Sequence, residues 1–340
     1  MAASSRQCFL VALFMIIGVS AARSIGDDLM SVKHEQWMTK HGRVYKDSAE
    51  KDLRFKIFKQ NVEYIESVNN AGNRTYKLGT NQFTDLTNEE FKATHNGFMP
   101  SKSAALQKPT GGFRYGDVTD IPESLDWRTE GSVLTPIKNQ RECGCCWAFS
   151  AVAAVEAITA ITTGQLVSLS EQELVDCDTN ENKGCGGGNM DNAFKFIVGN
   201  GGLTTEENYP YTASDQGTCN SQEFSNVVTI SGYEDVPANS ESSLLKAVAN
   251  QPVSVAIEGY GFDFRHYSSG VFTGYCGTQL THAVAVVGYG TASDTGTEYW
   301  LVRNSWGRSW GENGYMRIQR DVDAAEGLCG IAMKASYPLA

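Results

Sequence analysis

The nine cysteines of this 340-residue chain are unevenly placed, and that placement constrains the fold more than any other feature. Cys8 stands alone near the start, and the other eight all fall between Cys143 and Cys329. Residues 1–22 carry Arg6, an apolar run from Phe9 to Val19, and the small residues Ser20, Ala21 and Ala22 before Arg23. That is the form of a cleaved secretory leader, and the run is too short to span a bilayer. No other stretch is expected to cross a membrane. A chain routed this way folds in an oxidising compartment, so disulfides are expected among the eight remaining cysteines. Four bridges would be their purely structural use.

Charge separates along the same line. Residues 121–340 hold 12 Lys+Arg against 26 Asp+Glu, net −14, whereas residues 1–120 are net +3. The two parts should attract, and an acidic body without basic clusters argues against nucleic-acid binding. Apolar and charged residues alternate at three-to-four spacing over Leu29–His41 and Ala49–Asn70 without proline, which predicts two amphipathic helices. Residues 97–120, with Pro100, Pro109, Gly111, Gly112 and Gly116, predict an exposed linker open to proteolysis. The one Asn-x-Ser/Thr acceptor, Asn73, places any N-glycan on the N-terminal part. Beyond residue 121, CWAFSAVAAVEAITAIT (146–162) predicts a helix buried on most sides, and LSEQELVDC starts a second with Ser170 as cap. From Val227 onward the short runs VVTISGY, PVSVAIEG, HAVAVVGYG, EYWLVRNSW and YMRIQR predict a sheet or barrel.

Chemistry concentrates at the start of the buried helix. Unpaired backbone N–H groups and the positive end of the helix dipole lower the pKa of a thiol placed there, so a cysteine of the pair Cys145–Cys146 can be a nucleophile. Two histidines beyond residue 121, His266 and His282, could serve as base; His282 opens an apolar strand that would hold its ring rigidly, whereas His266 lies among turn residues. Asn304, directly after another strand, could orient the imidazole, with Trp306 shielding that hydrogen bond from water.

Residues 121–340 resemble the papain-like cysteine proteases over their whole length, particularly the plant senescence- and seed-associated branch. The CGCCW sequence around Cys146 is close to the CG[SA]C[WY] signature of that family, and His282 and Asn304 follow at separations of 136 and 158 residues. The resemblance implies an α+β, two-domain fold with a helical left domain (about 121–230) and an antiparallel β-barrel right domain (about 231–340), preceded by a mainly helical propeptide over 23–120. It selects Cys146, directly before Trp147, as nucleophile with His282 and Asn304, and makes Gln140 an oxyanion-hole donor together with the Cys146 N–H. It pairs Cys143 with Cys185, Cys177 with Cys219, and Cys276 with Cys329, leaving Cys145 and Cys146 over.

The spacing Glu50, Arg54, Phe58, Asn61, Ile65, Asn69 and the set Gly79, Asn81, Phe83, Asp85 match the two motifs of the family's inhibitory propeptide. The resemblance therefore implies an endopeptidase made as a zymogen, with cleavage expected between about Tyr115 and Pro122; acid is expected to loosen the N-terminal part, because protonating carboxylates on the net −14 body weakens its attraction to the net +3 segment. Its S2 pocket maps to Asn189, Met190, Ala256, Leu280, Ala283 and Lys334, with Gly187 and Gly188 bonding an extended peptide. The implied partners are protein or peptide substrates, the chain's own propeptide and cystatin-like inhibitors. The expected molecule is a monomer with no metal or other cofactor, bound for a vacuole, a lysosome or the extracellular space. The rival readings are a non-catalytic binding or storage protein on the same fold, and an exopeptidase, for which no His-bearing occluding insertion is seen. Four positions depart from the family: Arg141 stands where glycine is usual, Cys145 replaces Ser, Thr281 replaces Asp, and Lys334 closes the pocket.

Overall fold

In the computed structural model, which describes residues 27–100 and 112–340, the described residues form two compact units: 27–67 with 80–86, and 68–79 with 87–100 and 112–340. The expected leader, residues 1–22, and most of the expected linker lie outside the described residues.

In the first unit, helix α1 (27–41) and the start of α2 (Ser48–Ala71) bury an aromatic core. Phe58 lies 5.2 Å from Trp37 and 5.0 Å from His34, ring centre to ring centre, with Met30 and Val62 in the same cluster. Residues 80–86 are then tied by side chains of the long helix: Arg54 donates to the Asp85 carbonyl, and the Asn61 amide to the carbonyls of Thr84 and Leu86. The two sequence motifs are therefore one structure, the first supplying side chains that satisfy the backbone of the second.

In the second unit, β1 (Tyr76–Leu78) and α3 (Asn88–His95) precede the body. α3 begins with a complete capping box, Thr87 and Glu90 each bonding the other's backbone N–H. After β2 (Leu125–Asp126), the body opens with helices α4 (Cys146–Thr163), α5 (Glu171–Cys177) and α6 (Met190–Gly199). The remainder holds β3 (Gly232–Asp235), α7 (Glu241–Val248), β4 (Val253–Ile257), the short α8 (Phe262–Arg265), β5 (Tyr267–Phe272), β6 (His282–Thr291), β7 (Glu298–Arg303), β8 (Tyr315–Gln319) and β9 (Ala335–Leu339). α4 is apolar all round because it is buried on nearly all sides, its residues from Cys146 to Ile158 all inaccessible.

The expected barrel is not found. The nine strands form an open sheet in the order β1-β5-β8-β7-β6-β4-β9-β3, with β5 and β8 parallel and the other pairs antiparallel. The sheet branches at β6 instead of closing. One edge of β6 pairs with β7, while the other pairs with β4 up to Val286 and with β2 from Gly288. A bulge at Val286–Gly288 marks the handover, and a Cβ on Gly288 would lie 2.3 Å from the Leu125 carbonyl oxygen, so only glycine admits β2 there. The predicted run VVTISGY yields a strand only from Gly232; Val228 makes a single bridge to Leu203. Both ends of the expected linker are tied down: residues 97–99 are held in extended pairing, and Tyr115 donates to Gln251 with its ring tilted against Tyr337 at 5.2 Å.

The aromatic core of the first unit carries a pH dependence. Burial lowers the pKa of His34, and burial together with Lys40 and Arg43 lowers that of His41 to about 4. Both rings bind protons more readily in the unfolded state. Their contribution to stability is therefore complete above about pH 6.5 and declines as the pH falls toward 4, His41 accounting for about 1 kcal/mol after discounting its partial exposure. The Asp85 carboxyl, raised by its own burial, offsets part of this at the acid end. Amide exchange over residues 34–86 of the full chain should quicken between pH 7 and 4, and less so in His41→Gln; exchange protection that rises on acidification would contradict this account.

Candidate active site

The site is assembled where α4 meets β6. The thiol of Cys146, first residue of α4, accepts from the Ala283 N–H at 3.4 Å, which sets it beside the first residue of β6, His282. A few residues along, the Ser150 hydroxyl donates to the Val284 carbonyl (2.7 Å) and the Ser254 hydroxyl to the Ser150 carbonyl (2.9 Å), locking helix to sheet in one register. His282 Nε2 and Asn304 Oδ1 are 2.8 Å apart. Since an amide oxygen only accepts, the imidazole carries a proton on Nε2, and its other nitrogen, Nδ1, is buried without a hydrogen-bond partner. Trp306 stacks on the imidazole at 4.5 Å and is itself fully buried. His266, the alternative base, is also buried, but it closes α8 through the Phe262 carbonyl and has no asparagine partner.

Gln140 is buried and held at both ends of its amide. Its Oε1 accepts from the Ser305 hydroxyl at 2.6 Å, and its Nε2 donates to the carbonyls of Cys143 (2.8 Å) and His95 (3.4 Å). The second of these belongs to residues 95–99, which cover the site. The N–H groups of Gly97 and Phe98 both donate to the Thr281 carbonyl at 2.9 Å, and the Thr281 hydroxyl to Asn96 Oδ1 at 2.9 Å. Gly188 then pairs with the covering strand, its N–H donating to the Gly97 carbonyl and its carbonyl accepting from the Met99 N–H, each at 2.8 Å. This approach demands glycine: a Cβ on Gly97 would lie 1.7 Å from the Gly144 carbonyl oxygen, and one on Gly187, at φ +115°, 2.8 Å from the Gly97 oxygen.

Covered in this way, the pair is held by burial toward its neutral forms. Burial raises the Cys146 thiol to about 12, outweighing the N–H groups of Ala283, Gly97 and Trp147 that pull it down. Burial also lowers His282 to about 4, against the support of Asn304. The sequence-based expectation of a thiol activated by its helix start is thus reversed in the covered state, because losing water penalises the charged forms more than one helix end favours them.

The remaining predicted positions fall around the covering segment. Phe98 is buried in one apolar cluster with Met190, Ala256 and Ala283, and Leu280 packs against that cluster. Asn189 caps α6 and reaches the Met99 carbonyl at 3.4 Å. The Lys334 ammonium is clamped between Asp191 (2.5 Å) and Asp235 (2.6 Å), so it neither extends into water nor lies free in the pocket. Cys143–Cys185, Cys177–Cys219 and Cys276–Cys329 are bridged, and Cys145 and Cys146 are buried free thiols. Asn73 is exposed in the turn before β1. Sequence reasoning missed α3 and its capping box, although Thr87 and Glu90 at the required spacing were the signal for it.

A buried cysteine, a histidine oriented by an asparagine, and an N-terminal segment laid over them define a latent cysteine protease. A family model for the papain family cysteine proteases matches residues 121–339, and one for the cathepsin propeptide inhibitor domain (I29) matches residues 34–91. The senescence-specific cysteine protease SAG39 of Oryza sativa subsp. indica is 57% identical, covering 96% of this chain and 98% of its own. Vignain of Vigna mungo is 50% identical over 97% of this chain and 92% of its own. Among solved structures, recombinant stem bromelain precursor is 45% identical with a TM-score of 0.83, covering 91% of this chain and 98% of its own. The Amb a 11 cysteine protease, a ragweed pollen allergen, matches in its proform with a TM-score of 0.81 at 40% identity, over 91% and 94%. The chain belongs to the papain family of cysteine proteases and carries its propeptide.

Arg141 adopts φ +52°, the conformation that favours glycine, without displacing Gln140, and its N–H is taken by Asn139 Oδ1. Holding a side chain there costs roughly 1 kcal/mol. Arg141→Gly is therefore expected to raise the unfolding midpoint in urea by an amount equivalent to at most about 1 kcal/mol; a lowered midpoint would show that the arginine side chain stabilises more than its backbone costs.

Proposed function

We propose that this chain is the zymogen of a secreted endopeptidase that cleaves peptide bonds through a Cys146 thioester. The observation that carries the reading is His282, with Nε2 committed to Asn304, Nδ1 unpartnered, and the Cys146 thiol held on the next residue's N–H. Once the covering segment leaves, water returns and the pair can exchange its proton, giving thiolate and imidazolium. The thiolate attacks the scissile carbonyl carbon, and the C=O π electrons move to oxygen, stabilised by Gln140 Nε2 and the Cys146 N–H. Departure of His95 frees one of the two Gln140 N–H donors for that oxyanion. As the tetrahedral species collapses, the C–N bond breaks and His282 protonates the leaving amine. A water then gives its proton to His282, attacks the thioester and releases the acid and the thiol.

The latent state follows from residues 95–99 occupying this site with backbone hydrogen bonds like those of an added strand. Acid would weaken the attraction between the net −14 body and the net +3 N-terminal part, and would loosen the histidine-bearing core of the first unit. Cleavage is proposed between about Tyr115 and Pro122. Entry into the secretory route is supported by the apolar run Phe9–Val19 and by three disulfides. Phe98, seated among Met190, Ala256, Ala283 and Leu280, supports an S2 pocket that takes aromatic or branched apolar side chains, closed by a Lys334 already neutralised by two carboxylates.

Two measurements bear on this reading. The whole precursor, acidified under mild reduction, should gain peptidase activity that Cys146→Ala lacks by at least a thousandfold; comparable hydrolysis by the variant would overturn the assignment. In a positional peptide library the mature enzyme should turn over Leu, Val or Phe at P2 at least tenfold faster than Glu or Arg, and a preference for Glu would show that the Lys334 clamp opens.

A further inference from the structure

The two groups assigned above to the oxyanion hole, Gln140 Nε2 and the Cys146 N–H, belong to separate stretches of backbone. Gln140 lies before the turn through Arg141, Cys143 and Gly144, and Cys146 begins α4. Arg141 in that turn holds a positive φ, and Cys145 at the N-cap of α4 makes no side-chain capping bond; the turn is held by the Gln140 N–H on the Ser305 carbonyl, the Gly144 N–H on the Cys185 carbonyl and the Cys143–Cys185 bridge, none of which touches Cys145. One group touches both. The Tyr211 hydroxyl lies 2.7 Å from the Gln140 carbonyl and 3.0 Å from the Cys145 sulfur.

The direction of these bonds follows from their chemistry. A carbonyl only accepts, so the Tyr211 proton points to Gln140 and the Cys145 thiol donates to the Tyr211 oxygen. Burial holds the Cys145 thiol protonated, as that role requires. The phenol ring is set edge-on against Phe149, one turn along α4, at 4.9 Å, and its backbone N–H is bonded to Glu206. Tyr211 therefore reaches the site from a well-anchored loop.

We infer that the Tyr211 hydroxyl is a positioning group for catalysis, tying the Gln140 carbonyl to the Cys145 thiol and so fixing the distance between the two oxyanion donors. The inference rests on the proposed roles of Gln140 and Cys146. It gives Cys145 a function besides packing: the residue before the nucleophile needs a donor, which a thiol or a hydroxyl provides and a methyl group does not. It also accounts for how Arg141 is tolerated, since the preceding carbonyl is pinned from outside the turn.

Tyr211→Phe removes both bonds and keeps the ring on Phe149. In enzyme matured from the whole precursor, kcat for a peptide substrate should fall about tenfold with KM changed less than twofold. Alkylation of Cys146 by iodoacetamide proceeds by displacement of iodide at a saturated carbon and forms no oxyanion, so its rate and pH profile should match the unaltered enzyme. Cys145→Ala, which leaves the Gln140 bond intact, should lose less of kcat than Tyr211→Phe, and Cys145→Ser should recover most of that loss; this pair carries the test if Tyr211→Phe does not fold. A kcat for Tyr211→Phe within twofold of the unaltered enzyme would overturn the inference, as would a parallel fall in kcat and alkylation rate, which would mark general loosening of the helix start. Cys145→Ser no better than Cys145→Ala would overturn it too. Failure of the catalytic reading itself is distinguishable, since hydrolysis would then survive Cys146→Ala.

Discussion

The rest of the molecule depends on α4 lying against β6. A helix apolar on all sides can be stable in water only if something surrounds it, and here the sheet supplies one wall and α5 and α6 the others. The register is set by polar bonds within that apolar contact, through Ser150, Val284 and Ser254, so the helix cannot slide along the strand without leaving buried groups unsatisfied. Because Cys146 is the first residue of the helix and His282 the first of the strand, fixing the register fixes the thiol against the imidazole. A second polar tie lies further along α4, where Glu156 accepts from the Thr135 hydroxyl, the Lys138 ammonium and the Leu169 N–H, and Lys138 also pairs with Glu171. Arg303, in β7, bonds the backbone and hydroxyl of Thr135, so sheet and helix share this cluster as well.

Latency follows from the same geometry. The N-terminal segment needs no reactive group to silence the site. It bonds along Thr281 and Gly188, approaches Gly144 so closely that only Gly97 fits, and removes water from the thiol and imidazole. Burial favours the neutral form of each. One set of contacts thus blocks the cleft and shifts the proton equilibrium.

The four positions expected to depart from the family pattern each have an identifiable accommodation. Arg141 takes up a left-handed backbone conformation, its N–H bonded to Asn139; Thr281 bonds Asn96 of the covering segment; the Lys334 ammonium is paired with Asp191 and Asp235; Cys145 bonds Tyr211. Arg141 apart, these partners are distant in sequence from the residue they accommodate.

How much could be read from the chain alone divides along a physical line. Patterns that act over a few residues were legible: the periodicity of α1, α2 and α4, the cap at Ser170, the apolar runs of β4, β6 and β7, and the glycine and cysteine context of Cys146. These depend on local geometry, which local sequence carries. What the chain could not disclose was anything decided by partners distant in sequence. The open, branching sheet depends on Gly288 admitting a strand from residues 125–126, and the start of β3 depends on pairing with β9 at the far end of the chain. The protonation of Cys146 in the precursor was hidden for the same reason: the helix start, visible in sequence, favours a thiolate, whereas burial, to which residues 95–99 some fifty positions earlier contribute, opposes it. The sequence determined which residue types stand at the helix start and the strand start; the tertiary structure decided that Cys146, His282 and Asn304 meet and how deeply they are buried, because both depend on partners distant in the chain.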